Sequence, residues 1–250
     1  MELLKYVFTI LTGVVAGFLN VTAGGGSLLV LPVLVLGGMD MSIANGTNRV
    51  AILFQNMVAI RKFRKEGVFY LKDAVFFTIP AAIGSVAGSF LAVNLDEQVL
   101  RIVISVLILT MAFLLIAKPA MWEKQSEQKF PSWVLFTVFF FIGVYGGFIQ
   151  AGVGFFLLWG LVGLAGNDLL RSNALKAAII GFYTLISLAI FMFKGMVDLQ
   201  MGLALAVGNM TGGYLGARFS IAKGNVWLRW ILVTVVTISA LKMIAEVVLS

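Results

Sequence analysis

Asn20-Val21-Thr22-Ala23-Gly24-Gly25-Gly26-Ser27 interrupts a strongly apolar stretch, and Gln150-Ala151-Gly152-Val153-Gly154-Phe155 interrupts another, with Gly24 and Gly152 separated by 128 residues. Consecutive glycines end a helix, let backbones approach closely and leave N–H groups without intrahelical acceptors. Each break opens onto a run too short to cross a bilayer, Ser27–Leu36 and Phe155–Leu164, roughly 15 Å of helix. Both runs read as half-helices. In hydrocarbon such a break is tolerated only where protein or a wet cavity satisfies the freed backbone.

Outward from the breaks the chain stays apolar. It has 250 residues, 61% hydrophobic and 12% charged, with a mean hydropathy of +1.05. Longer segments read as helices at Leu3–Asn20, Ser42–Phe63, Leu71–Val93, Val99–Ala117, Trp133–Gln150, Leu169–Phe193, Leu199–Arg218 and Val226–Leu249. Most reach the roughly 20 residues that a membrane crossing takes. The expectation is an all-α polytopic membrane protein lying in the lipid bilayer. Met1–Lys5 offers no cleavage site before the first apolar run, which is expected to stay in the mature protein.

The second half repeats the first. An offset of 128 pairs Gly26 with Gly154, Gly38 with Gly166, Asp40 with Asp168, Asn45 with Asn173, Gly67 with Gly195, Gly84 with Gly212 and Arg101 with Arg229. Before Ala23 the offset becomes 130, pairing Gly17 with Gly147 and Phe18 with Phe148, so the first bend is expected to be two residues longer. The division is repeat 1 at 1–117, a polar cytoplasmic linker at 118–131, and repeat 2 at 132–250. Each repeat is read as a broken-helix hairpin plus three transmembrane helices.

The net charge of +7 is topological. Arg61, Lys62, Arg64, Lys65 and Lys72 crowd one short loop, placed in the cytoplasm. If the short segments form re-entrant hairpins the second repeat is inverted, and Lys118, Lys124, Lys129, Arg171, Arg218, Lys223 and Arg229 join that side. Lys5, Arg101, Lys194 and Lys242 then lie outside. Reading each helix pair as one broken span gives parallel repeats with a slightly poorer balance. The inverted form is favoured because it is a common transporter plan. No nucleic-acid partner is implied. Trp133, Trp227 and Trp230, near helix ends, read as interfacial anchors.

Candidate binding residues cluster at the breaks and just after them. Helix starts at Gly24, Gly25, Gly26 and Ser27, and at Gly152 and Gly154, offer N–H groups and partial positive charge to an anion, with Asn20, Thr22 and Gln150 beside them. The bland alternative is that the glycines serve only tight packing. Asn45, Thr47, Asn48 and Arg49, answered by Asn173 and Lys176, put amides and cations early in apolar helices, where polar groups usually face a cavity. The alternative for Arg49 and Lys176 is snorkelling to an interface. Asn209 can reach the same cavity, whereas Gly84, Gly88, Gly212 and Gly216 read as helix packing. Asp40 and Asp168 read as N-caps, and Asp198 as solvated or capping. The chain has no Cys or His. Thiolate and imidazole chemistry are therefore excluded, and no metal ligand, catalytic residue or cofactor is expected.

Ala23-Gly-Gly-Gly-Ser27…Pro32, followed by Ala44-Asn-Gly-Thr-Asn48 and the echoes at Ala151–Gly154 and Ser172–Lys176, resembles the sulfite exporter TauE/SafE family. The likeness runs along essentially the whole chain. It implies a carrier of sulfite, organosulfonates or related organic anions in the bacterial cytoplasmic membrane, with the glycine bends and Asn/Thr segments converging between the repeats. Repeat 2 departs from the pattern: Gly160 stands opposite Pro32 and Leu175 opposite Thr47. A less polar second half-site is expected. A secondary transporter working by alternating access is the primary reading, with a passive anion channel or a membrane scaffold subunit as alternatives. A coupling ion, proton or sodium, stays open; no acidic residue lies mid-span to carry a proton.

Overall fold

The computed structural model describes residues 2–68, 71–96, 98–99 and 130–248. The expected helix Val99–Ala117 beyond its first residue, most of the linker 118–131 and the cations Arg101, Lys118, Lys124 and Lys129 lie outside the described residues, as do the side chains of Arg229 and Lys242. All regular structure among the described residues is helical: α1 (Glu2–Thr22), α2 (Ser27–Leu36), α3 (Met41–Lys65), α4 (Leu71–Asn94), α5 (Ser132–Phe148), α6 (Val153–Leu158), α7 (Leu169–Phe193) and α8 (Leu199–Val248). The expected single half-helix Phe155–Leu164 is α6 continued by a π-helix, Trp159–Leu164. The two expected C-terminal helices are one element, broken at Gly224, whose φ of 67° lies in the left-handed region. Lys5–Thr22, Lys72–Asn94 and Leu169–Phe193 are each long and apolar enough to cross a bilayer. Several such helices in one chain make this a multi-pass membrane protein.

Burial is inverted relative to a water-soluble fold. Phe8, Leu11, Ile79, Ile83, Phe141, Leu185 and Val207 are exposed, whereas Asn45, Asn48, Arg49, Asn173 and Asn209 have no accessible surface. Lipid contacts the first set, and the second must find partners inside.

Glycines set the helix directions by letting neighbouring backbones touch. Gly208 lies on Ile10, Gly212 on Val14 and Gly216 on Phe18, so α1 and α8 run the same way. Gly84 on Phe140 and Gly88 on Val144 make α4 and α5 parallel. A Cβ at Gly84 or Gly212 would sit 2.0 Å from a neighbouring carbonyl oxygen, in keeping with a packing role. α4 and α7 are also parallel, tied by Arg171 to Asp73 at one end and by Ser89 to Ser187 further along. α3 and α7 are antiparallel: Gly181 meets Asn56 and Ile60 while Gly46 meets Phe191. Thr47 to Asp198 and Gln55 to Asn209 align α3 with α8. Hence α1, α3 and α8 point one way, and α4, α5 and α7 the other.

Both short helices fold back. Gly26 packs on Ala16 and Asn20, and Lys5 Nζ donates to Gly37 O at 3.3 Å, so α2 returns antiparallel along α1. Gly146 meets Val153, Gly160 meets Phe139 and Phe130 N donates to Leu164 O, so α6 returns along α5. The elements are hairpins rather than broken spans. Gly17 lies on Asn209 and Gly143 on Ala81, two contacts related by 128 on one side and 126 on the other. Helix ends Thr22 and Phe148 agree. Ahead of the bends the contacts put the two halves in register at 126, one helical turn from the expected 130, and the bends are equal, with residues 23–26 and 149–152 between the helices, rather than longer in the first half.

The helix directions sort the charges. Arg61, Lys62, Arg64, Lys65, Lys72, Arg171, Arg218 and Lys223 share one end, with Trp133, Trp227 and Trp230, which are 72%, 53% and 65% exposed. Lys223 lies over the Trp227 ring at 5.5 Å. Lys5, Lys194, Asp40, Asp96 and Asp198 occupy the other end. Asp168 Oδ1 accepts from Arg171 N and Asp198 Oδ1 from Met201 N, both as caps. Asp40 stands at the N-cap position of α3 but its side chain makes no capping bond, a correction to the sequence reading.

Candidate functional site

The hairpin tips meet at the centre. A Cβ on Gly24 would come within 2.6 Å of Gly154 Cα, and one on Gly154 within 2.4 Å of Gly24 Cα. Gly24 (φ 96°) and Gly152 (φ 71°) adopt left-handed backbone that L side chains avoid. Only glycine meets both demands at Gly24.

Each tip is held by the long helix of the opposite half. From α3, Asn45 Nδ2 donates to Phe148 O at 2.8 Å, and Arg49 donates to Gly146 O at 3.2 Å and Gly147 O at 2.6 Å. From α7, Asn173 Nδ2 donates to Thr22 O at 3.3 Å, and Lys176 Nζ to Val21 O at 3.0 Å. The carbonyls belong to the C-terminal ends of α5 and α1, which carry partial negative charge and have no intrahelical donors. The Arg49 guanidinium also lies 4.4 Å from the centre of the Phe191 ring. Arg49 and Lys176 are 0% and 1% exposed, which rules out snorkelling. Buried Asp or Glu is absent among the described residues, whose ion pairs, Lys62–Glu66 and Arg171–Asp73, lie at the surface.

A second polar chain joins the first tip to the core. Gln55 Oε1 accepts from Asn20 Nδ2 at 3.2 Å and from Asn209 Nδ2 at 3.3 Å, and Asn20 Oδ1 accepts from Ser27 N at 3.2 Å. Gln55 escaped the sequence reading, although Gln55-Asn56 is a polar pair inside an apolar run. The corresponding positions 128 residues later are Tyr183 and Thr184, and Thr184 Oγ1 accepts from Gln150 Nε2. The structure therefore brings Asn20, Ser27 and Asn209 together through Gln55, and Asn173 and Lys176 to Val21 and Thr22. Thr22 Oγ1 itself donates to Phe18 O within α1. Thr47 is directed away: its Oγ1 accepts from Asp198 N at 2.9 Å, and Asp198 lines a cavity of about 350 Å³ with Lys5, Gly38 and Asp40.

Several buried donors and acceptors remain open. Ser27 Oγ, Ser172 Oγ, Arg49 Nε, Asn209 Oδ1 and both amide atoms of Asn48 have no hydrogen-bond partner, and Gly25 N and Gly26 N make no hydrogen bond to the backbone. Buried polar atoms left unpaired cost about 1–3 kcal/mol each. Buried polar atoms of this kind are completed by water or a polar ligand.

The sulfite exporter TauE/SafE profile matches residues 9–243. The chain is 28% identical to the probable membrane transporter protein ORF9 of Sinorhizobium sp, over 98% of this chain and 94% of that protein. It is also 28% identical to a probable membrane transporter protein of Haemophilus influenzae, covering 98% and 96%. Identity to the probable membrane transporter protein YfcA of Escherichia coli K12 is 25%, covering 92% and 86%. No solved structure matches. Since the match spans nearly the whole chain, the protein belongs to the sulfite exporter TauE/SafE family.

Proposed function

We propose that the protein is a secondary carrier of a small anion, sulfite or an organosulfonate, which binds where the two glycine tips meet and is exposed to each side in turn. The observation that carries this is the pair of buried cations, Arg49 and Lys176, with no buried carboxylate among the described residues to neutralise them. Two positive charges in a low-dielectric interior are costly, and carbonyl dipoles offset them only in part. An anion completes the balance. The cations also neutralise the C-terminal ends of α1 and α5, which would repel an anion approaching the N–H groups of Gly25 and Gly26 at the start of α2.

The same reading takes the molecule as two inverted repeats. Counterparts α1 and α5, α3 and α7, and α4 and α8 run in opposite directions, and their bounds 41–65 and 169–193 differ by a constant 128. The basic cluster at one end supports taking that end as cytoplasmic by the positive-inside rule. Inverted halves have two equivalent packings that exchange roles, which is the basis of alternating access. Purified protein in proteoliposomes is expected to exchange labelled sulfite or methanesulfonate saturably against the same anion on the other side. If sulfite, sulfonates and short carboxylates all fail to move under any ion gradient, the carrier reading is wrong. Flux without trans-stimulation identifies a channel.

A further inference from the structure

We propose that Lys176 is the proton-coupling residue of the carrier, so that each anion crosses together with one proton held on the Lys176 amine. This rests on the carrier reading above. Two acceptors face Nζ, Val21 O at 3.0 Å and Asn173 Oδ1 at 2.6 Å. An ammonium has three N–H donors and a neutral amine has two. The two observed bonds therefore survive loss of a proton, and the third N–H of the ammonium is the one left for a substrate anion.

Among the described residues the surroundings supply no competing group. Arg49 of α3 is directed to the end of α5, Tyr145 of α5 to Ala151 O, and Lys5 of α1 to Gly37 O. Asp73 of α4 pairs with Arg171 of α7, and Asp198, ahead of α8, caps Met201 N. Tyr183, also on α7, lies beside Gly146. Arg49 cannot take the role, because a guanidinium stays protonated. A mid-span acid, the usual carrier, is missing from the sequence, and the buried amine fills that vacancy.

The cycle balances without redox chemistry. Open to one side, the neutral amine accepts a proton from water and the anion binds beside the ammonium. After reorientation the anion leaves and the ammonium returns its proton to water on the other side. The empty carrier then comes back with a neutral amine, avoiding the cost of an unpaired buried charge.

Methanesulfonate is a suitable probe because its sulfonate stays ionised across the working pH range. With membrane potential clamped at zero, a pH gradient of one unit is expected to drive about tenfold accumulation by the wild-type protein. Lys176→Arg is expected to lose this accumulation whatever counterflow it retains, because its charge is fixed. Lys176→Gln, which keeps two N–H donors, serves as the second variant, and lumenal pH is followed directly in both. Wild-type counterflow without pH-driven accumulation overturns the proposal, as does proton movement that persists in either variant. Absence of wild-type counterflow with both methanesulfonate and sulfite instead overturns the carrier reading, and this proposal with it.

Discussion

Gly24→Ala and Gly154→Ala are each expected to abolish transport and lower thermal stability. At Gly24 two penalties coincide. The left-handed backbone costs an L-residue about 1–2 kcal/mol, and the added methyl would fall 2.6 Å from Gly154 Cα, where overpacking typically costs about 1–3 kcal/mol. Gly154 bears the second penalty alone, since its Cβ would meet Gly24 Cα at 2.4 Å and Gly24 O at 2.7 Å. The neighbour is backbone in both cases, so no rotamer change relieves the clash. Gly38→Ala is the control: its φ is 91°, yet no atom lies within 4 Å of the added Cβ. It isolates the backbone strain and is expected to keep transport with a modestly lower Tm. Counterflow per folded molecule, together with thermal melts in detergent, separates the three variants.

The second large effect is expected from Arg49→Gln. The guanidinium holds Gly146 O, Gly147 O and Asn45 Oδ1 at the end of α5 and lies against Phe191. Hydrogen bonds to charged groups contribute about 1.5–3 kcal/mol each, so losing the cluster predicts a fall in counterflow of at least about a hundredfold. Arg49→Lys is expected not to rescue it. A single ammonium cannot span two successive carbonyls, an amide and an aromatic face as a planar fork does. Rescue by lysine would mean that charge alone matters at this position.

Much of this arrangement was legible in the sequence because membrane helices are long, apolar and punctuated by glycine. Ser27–Leu36 and Leu169–Phe193 match the observed helices end to end. The hairpin tips were visible because Gly24–Gly26 and Gly152-Val-Gly154 stand out against lipid-soluble neighbours. What stayed hidden was what the polar groups face. Asn45, Arg49, Asn173 and Lys176 looked like donors awaiting an anion, yet most of their bonds go to carbonyls of a helix end about a hundred or more residues away in the chain. No local pattern reveals such a partner. The register of α1 against α5 was also misplaced, because matching glycines one turn apart are equally good sequence alignments. Only the contacts of Gly17 with Asn209 and Gly143 with Ala81 choose between them. Asp40 and Asp168 stand at matching positions just ahead of α3 and α7, and only the second bonds its helix.

The chain has no cysteine, so a single introduced thiol can be labelled without background. Ser27→Cys at the first tip is nearly isosteric, and the Ser27 hydroxyl is buried without a partner. Sided labelling with a membrane-impermeant maleimide in proteoliposomes tests alternating access at this site most directly. The account predicts that the thiol is reached from each side in turn, that conditions favouring one side suppress the other, and that the transported anion protects it from both. A thiol reached from both sides at once, or from neither, or one indifferent to the anion, would contradict it.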